Sequence, residues 1–141
     1  MQVFSYLFLD GKADQAIEFY RQAIGAKVEA LMRFKESPEP PPQREGQPDN
    51  SEKVMHASLK IGDTTLFLSD GECAGKAKFE GFGLALTTRD EIEAKKMFSA
   101  LSEGGQVRMP LAKTFFSPSF GMVADRFGVL WMVMAESKGA S

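Results

Sequence analysis

Apolar residues recur with the period of an α-helix over residues 13–24. They lie three and four positions apart, on one face of such a helix: Ala13, Ala16, Ile17, Tyr20 and Ile24. Gly25 follows at once, and glycine readily adopts the left-handed backbone that ends many helices. The pattern therefore predicts an amphipathic helix that packs on one side and ends at Gly25.

The same pattern returns in the second half of the chain. Thr88, with Glu91 three positions later, fits a capping box at the start of a helix. The apolar stripe that follows consists of Ala94, Met97, Phe98 and Leu101. Three pairs of residues share one offset of 79 positions, which predicts an internal repeat: Leu7 and Leu86, Phe19 and Phe98, and Gly25 and Gly104.

The last two strand-like runs of each half are joined by a turn. Residues 53–69 contain Gly62-Asp63, a two-residue hairpin signal, between two such runs. Residues 119–135 contain DRFG, a four-residue turn with aspartate first and glycine last, between two others. With one strand before and one directly after each helix, both halves are predicted to have the order βαβββ.

The repeat predicts an α+β fold of two tandem βαβββ modules, about residues 1–70 and 80–136, in a single domain over 1–141. This order differs from the commoner ferredoxin-like βαββαβ plan, which lacks the added hairpin in each half. Residues 35–52 contain five of the seven prolines and almost nothing apolar. We predict a loop outside the sheet there, either a mobile linker or a lid over a site.

Composition narrows the class of partners. The chain is 43% hydrophobic and 26% charged, with a net charge of −2 and both signs interspersed, so we expect neither nucleic acid nor a membrane surface as a partner. The apolar run at residues 3–9 ends at Asp10 and has no basic residue before it. It is a poor signal peptide, and we expect a cytoplasmic protein. The sole cysteine, Cys73, is predicted to be an incidental loop thiol.

Short motifs in both halves resemble one known superfamily. AIEFY on the first predicted helix and DRFGVLW before the last strand look like the vicinal oxygen chelate superfamily, which includes glyoxalase I, extradiol dioxygenases and bleomycin-resistance proteins. MHASLKIGDTTLFLSDG and DRFGVLWMV are similar to its PhnB-like branch. The resemblance covers essentially the whole chain. It implies that each half curls its strands into a shallow cup, with the helix outside and a ligand inside.

Strand alternation then sorts side chains between the two faces. We expect Ser5 and Leu7 to point into the cup, and the aromatic residues Phe4, Tyr6 and Phe8 to pack under the helix. Counting back from the hairpin places His56 opposite Ser69 and Ser58 opposite Phe67 on the cup face. The other face would hold Met55, Leu59, Leu66 and Leu68. The last strand, apolar on both faces, is expected to lie inside its sheet.

Metal-dependent relatives bind one divalent ion through side chains on the first, fourth, fifth and eighth strands. The resemblance places these positions at Ser5, at or next to Ser69, at Gly83 and at Met132, and none of these four residues is a good ligand for a hard cation. The chain has one histidine, so a monomer cannot form a triad of two histidines and a carboxylate. We therefore predict no metal and no cofactor.

His56 is the candidate catalytic residue, as a general base or hydrogen-bond donor inside the cup. The alternative is a structural histidine bonded to a backbone carbonyl. Met132, with Met109 and Met122, would give the cup a soft apolar lining or would simply be core. Arg33 and Arg108 could hold an anion or be solvated strand-edge residues. The predicted ligand-binding residues are Ser5, His56, Ser58, Phe67, Ser69 and Met132.

Two functions from different classes fit this sequence. The first is a metal-free protein that binds a small molecule in an apolar cup. The second is a metal-dependent lyase, isomerase or dioxygenase that acts on a small oxygenated compound. Relatives commonly pair, so we also expect a homodimer, which could complete the site. Some members of the branch carry a ubiquinone-pathway methyltransferase label, but here no strand leads into a glycine-rich turn that opens a helix, as a nucleoside cofactor would require.

Overall fold

A computed structural model describes residues 1–38, 49–71 and 77–137. Most of the proline-rich loop and Cys73 lie outside these residues, so their predictions stay predictions. The chain divides into two compact units, Met1–Ala77 and Lys78–Ser141. The division falls between the two predicted modules, whose bounds and assignment to a single domain stay predictions.

The first unit is a four-stranded mixed sheet with one helix. Its elements are β1 (Ser5–Phe8), α1 (Ala13–Ile24), β2 (Lys27–Arg33), β3 (Val54–Ile61) and β4 (Thr64–Ser69). The strand order is β1-β4-β3-β2, with β1 parallel to β4 and the other pairs antiparallel. The predicted βαβββ module is confirmed.

The second unit repeats this plan. Its elements are β5 (Leu84–Thr88), α2 (Glu91–Ser102), β6 (Gln106–Ala112), β7 (Phe120–Ala124) and β8 (Leu130–Ala135). The strand order is β5-β8-β7-β6, again with one parallel pair, β5 and β8. The last strand therefore lies inside its sheet, as predicted, and the α+β class with two βαβββ modules is confirmed.

Helix α1 buries the face that the sequence predicts. All five apolar residues of that face are at most 6% exposed: Ala13, Ala16, Ile17, Tyr20 and Ile24. Gly25 has φ +70° and its backbone N–H bonds the Tyr20 carbonyl, which ends the helix. Small alanines at one end and Tyr20 at the other let the helix lie close to the sheet and fill the space beneath it.

Helix α2 begins two residues later than the predicted capping box. Asp90 is the N-cap residue, and its carboxylate accepts a hydrogen bond from the backbone N–H of Glu93 at 2.8 Å. Thr88 is instead the last residue of β5, paired with Ala135. Its hydroxyl donates to the Asp90 carbonyl. The sequence contains two overlapping capping patterns, Thr88 with Glu91 and Asp90 with Glu93. Thr88 belongs to β5, so the second pattern caps the helix.

The first hairpin has the predicted register. Ile61 lies opposite Thr64 and Ser58 opposite Phe67. Three leucines of this hairpin, predicted to share the other face, are at most 5% exposed and form the core under α1: Leu59, Leu66 and Leu68. In the second unit, Trp131, Val133 and Ala135 of β8 are buried, while the alternate residues of that strand are half-buried.

The predicted orientation of β1 is wrong. Leu7 is 1% exposed and packs into the core, whereas Phe4, Tyr6 and Phe8 are 42%, 38% and 58% exposed. Alternation correctly separates the two sets, but the aliphatic set faces α1 because Tyr20 and the leucines already fill the space there. Ser5 shares the parity of Leu7, so it lies on the helix side of the sheet and not on the predicted ligand face.

None of the helices within 1–38, 49–71 and 77–137 is long and apolar enough to cross a bilayer.

Candidate ligand-binding face

Five ring-bearing side chains form a cluster on the side of the first sheet that faces away from α1. We call this cluster the aromatic face, and it consists of Phe4, Tyr6, Phe8, His56 and Phe67. Phe67 is central: its ring centroid lies 5.0 Å from that of Phe4, 6.1 Å from that of Tyr6 and 5.3 Å from that of His56. These separations are typical of interacting aromatic pairs.

Strand pairing explains why these rings meet. In the parallel pair of β1 and β4, Tyr6 lies beside Phe67. Across the antiparallel hairpin, Phe67 lies opposite Ser58. His56 is two residues before Ser58 on β3, so both side chains point to the same face. Rings from three adjacent strands are thereby brought within one patch.

Tyr6 and His56 supply the polar atoms at the centre of the aromatic face. The Tyr6 hydroxyl oxygen lies 3.4 Å from His56 Nδ1, and the two ring centroids are 5.8 Å apart. An O–H···N bond is usually shorter, near 2.8 Å, so this contact is weak. His56 is half-buried and Tyr6 is exposed, which leaves the pair accessible.

The six predicted site residues divide into four groups, the fourth of which is Met132 of the second unit. His56, Ser58 and Phe67 lie together on the aromatic face. Ser69 is 2% exposed, and its hydroxyl oxygen accepts a hydrogen bond from the Gly71 N–H at 3.2 Å, a turn-stabilising role. Ser5 lies on the opposite side of the sheet.

Met132 belongs to the second unit, where methionines line one face of the sheet. Met132 on β8 lies opposite Met122 on β7, which lies opposite Met109 on β6. These three residues form a cross-strand row of thioethers, and Phe120 pairs with Met134 beside it. Met122 and Met132 are half-buried and Met109 is exposed, and their role as the lining of a ligand cup stays a prediction.

Sequence reasoning missed Phe4, Tyr6 and Phe8 as site residues. The available signal was Leu7 of β1 and Leu9 directly after it, which are aliphatic like Leu66 and Leu68 of β4. Aliphatic residues from neighbouring strands pack on a common buried side, and this assigns the aromatic set to the other face.

Arg33 is held by an ion pair and is not a free anion-binding group. Its guanidinium donates to both carboxylate oxygens of Asp14, at 2.9 and 3.0 Å, and to the Glu52 carbonyl at 2.7 Å. The hydrogen bond from Arg33 lowers the pKa of the Asp14 carboxyl below its usual value of 3.8. Arg108, on edge strand β6, is exposed.

This pair predicts a small pH dependence of stability. Because the folded-state pKa of Asp14 is depressed, the pair stabilises the protein above about pH 3.8 and loses that contribution as pH falls through the folded-state pKa. We expect Asp14→Asn to lower the free energy of unfolding at pH 7 by less than about 1 kcal/mol, since water screens a carboxylate that is more than half exposed. Urea unfolding should show the difference narrowing at acid pH, and a constant difference would contradict this assignment.

The described ranges contain no group of three histidine, cysteine, aspartate or glutamate side chains placed to hold a metal ion. Two buried carboxylates in these ranges, Asp70 and Asp125, accept hydrogen bonds from the protein's own N–H groups. Asp70 accepts from the N–H groups of Ala13 and Val54, each at 2.8 Å. Asp125 accepts from Phe127 and Val129 N–H groups and from the Trp131 indole.

An open groove of about 720 Å³ lies elsewhere in the first unit, between α1 and β2. Its lining includes the charged residues Glu18, Arg21 and Lys27. We favour the aromatic face as the ligand site, because binding sites for organic molecules are mostly apolar with few polar groups, and this groove is as polar as ordinary surface.

A protein family, a curated protein and a solved structure are similar to this chain over nearly its whole length. The family model for 3-demethylubiquinone-9 3-methyltransferase matches residues 1–134. Protein YjdN of Escherichia coli is 32% identical over 140 residues, which cover 94% of each chain. The crystal structure of protein PA1353 from Pseudomonas aeruginosa is 40% identical with a TM-score of 0.83, covering 96% of this chain and 98% of that one.

Two further solved structures have the same fold as this chain. A putative 3-demethylubiquinone-9 3-methyltransferase, PhnB protein, from Bacillus cereus is 23% identical with a TM-score of 0.76, covering 96% of this chain and 99% of that one. A glyoxylase/bleomycin resistance protein/dioxygenase domain from Frankia is 14% identical with a TM-score of 0.66, covering 99% and 93%. At these identities the likeness shows the fold alone, which is the glyoxalase-like fold. The family match and the identity to YjdN show more: the chain belongs to the 3-demethylubiquinone-9 3-methyltransferase (PhnB) family.

Proposed function

We propose that this chain binds a small organic molecule with a flat apolar part on its aromatic face. The observation that carries the proposal is the half-buried ring of Phe67, which has three other rings around it at centroid distances of 5.0 to 6.1 Å. Phe4, Tyr6 and Phe8 on the same sheet face are exposed. The proposal concerns binding, and it does not assign the methyl transfer of the family name to this chain.

Exposure and chemistry together support this function. Burial of exposed aromatic surface against a flat ligand is favourable, at about 25 cal/mol for each Å² removed from water. Exposed apolar patches of contiguous residues mark binding surfaces more often than ordinary surface does. Four of the five rings are on strands, and Phe4 directly precedes β1, so little conformational freedom is lost on binding.

The metal-dependent alternative has less support in the described residues. His56 is the sole histidine of the chain, and its near neighbours on the aromatic face are Tyr6, Phe67 and Met32, which lies opposite it on β2. Oxygen and nitrogen donors suited to a hard divalent cation do not surround it. A binding function needs only the apolar surface and the few polar atoms present.

Naphthalene is a suitable probe, because it offers a flat apolar surface and no polar group. We expect it to shift the imidazole NMR signals of His56, a single reporter in this chain. Phe67→Ala should weaken the binding by about fivefold or more, since truncation of an aromatic anchor at the centre of a binding surface commonly costs over 1 kcal/mol. Phe115→Ala is the matched control, because Phe115 is fully exposed in the second unit.

Three results of this titration decide the matter. Saturable shifts that depend on Phe67 and not on Phe115 support the proposal. Shifts that are equal in both variants, or no shift in the wild-type protein, would overturn it. Concentration-dependent His56 signals without probe would show instead that a second copy of the chain covers this face, which would make it a homodimer contact. The homodimer itself stays a prediction.

A further inference from the structure

We infer that the ligand of the aromatic face carries a hydroxyl group that bonds Tyr6 and His56, so that the ligand belongs to the flat hydroxy compounds such as phenols or enols. This inference rests on the proposed function, since it concerns the same face. It starts from the 3.4 Å separation between the Tyr6 hydroxyl oxygen and His56 Nδ1.

The two polar groups sit among apolar rings. Tyr6 is 4.9 Å from Phe8 and 6.1 Å from Phe67 between ring centroids, and His56 is 5.3 Å from Phe67. A ligand that covers these rings also removes water from the hydroxyl and the imidazole. Their mutual contact at 3.4 Å is weak, so a bond from each to the ligand offsets the cost of desolvation, which is about 1–3 kcal/mol for a polar group left without a partner.

The donor and acceptor inventory selects the chemical class. A phenol hydroxyl can both donate and accept, and a neutral imidazole has one donor and one acceptor nitrogen. If Tyr6 donates to Nδ1, then Nε2–H faces outward as a donor. If Nδ1–H donates to Tyr6, then the Tyr6 hydrogen and the Nε2 lone pair are available. A ligand hydroxyl satisfies both arrangements, since it donates and accepts, whereas an ether oxygen only accepts.

The existing contact is easily exchanged. At 3.4 Å the Tyr6–His56 contact is longer than the usual O–H···N distance. Little energy is therefore lost if this contact lengthens when a ligand oxygen bonds to the two side chains. Tyr6 lies on an edge strand of the sheet, and its side chain is 38% exposed. A hydroxyl can therefore reach both groups from the solvent side of the aromatic face.

Three naphthalene-type probes test this inference: naphthalene, 2-naphthol and 2-methoxynaphthalene. They share one flat ring system and differ only at the oxygen. We expect 2-naphthol to bind about three- to tenfold more tightly than the other two, which is the range that one net hydrogen bond gives. The His56 nitrogen shifts should report one tautomer with 2-naphthol bound.

Tyr6→Phe keeps the ring and removes the hydroxyl, and we expect it to bring the affinity ratio of 2-naphthol to naphthalene to within twofold of one. His56→Gln, which retains one donor and one acceptor, should keep part of the preference. Equal binding of all three probes, or a preference that survives Tyr6→Phe, would overturn the inference but leave the proposed function intact. Failure of every probe to shift His56 would overturn both.

Discussion

Asp125→Ala is expected to lower the free energy of unfolding by about 3 kcal/mol, because it leaves several buried donors without their acceptor. The Asp125 side chain is 3% exposed. Its Oδ1 accepts from the N–H groups of Phe127 and Val129, at 2.8 and 3.1 Å, and its Oδ2 accepts from Trp131 Nε1 at 2.9 Å. One carboxylate thereby closes the β7–β8 turn and fixes the indole of the central strand.

Urea unfolding measures this effect. Circular dichroism is the suitable signal, because the loss of the Asp125 bond to the Trp131 indole would itself change the tryptophan fluorescence. Asp125→Asn retains one oxygen for the two backbone donors but presents an amide nitrogen that cannot accept from Trp131, so an intermediate loss is expected. Asp63→Asn removes the same charge from an exposed hairpin turn and should change stability by less than about 0.5 kcal/mol. An Asp125→Ala loss no larger than that of Asp63→Asn would show that the network contributes little.

Asp70→Ala is expected to cost a similar amount, about 3 kcal/mol, because Asp70 joins three elements of the first unit. It follows β4, and its two oxygens accept from the N–H of Ala13, the first residue of α1, and from the N–H of Val54, the first residue of β3. The local N-cap residue of α1, Lys12, makes no side-chain capping bond. A carboxylate distant in sequence therefore caps this helix and complements the positive end of its dipole.

Asp90→Ala gives a direct comparison, since Asp90 caps α2 locally and is only half-buried. Loss of such a cap costs about 1 kcal/mol. We expect Asp70→Ala to be clearly more destabilising and to increase amide hydrogen exchange in the first turn of α1 and at the start of β3. If the two variants lose equal stability, or if exchange rises only at α1, then Asp70 does not act as a bridge between the elements.

The sequence contained enough information for the repeat and for most of the element positions. Helical periodicity identified the buried face of α1, and Gly62-Asp63 set the hairpin register that places Ser58 opposite Phe67. These features depend on neighbours within a few residues or across one turn. The same reasoning predicted the turn at 125–128, in which the Gly128 N–H donates to the Asp125 carbonyl.

The face of β1 could not be read from alternation alone. A period of two separates Ser5 and Leu7 from Tyr6 and Phe8, but it does not tell which set is inside. The outcome depends on how much volume α1 and β4 already supply, which is a tertiary quantity. For the same reason alternation does not tell that Ser69 is buried, with its hydroxyl bonded to the Gly71 N–H. The long-range links made by Asp70 leave no local signal.

The most direct test of the account is a crystal structure of the chain grown with 2-naphthol. We predict that the naphthalene rings lie over Phe67 on the aromatic face, with the hydroxyl within hydrogen-bond distance of Tyr6 and His56. A probe seated in the charged groove beside Arg21, or on the thioether row at Met122, with the aromatic face unoccupied, would contradict the central claim.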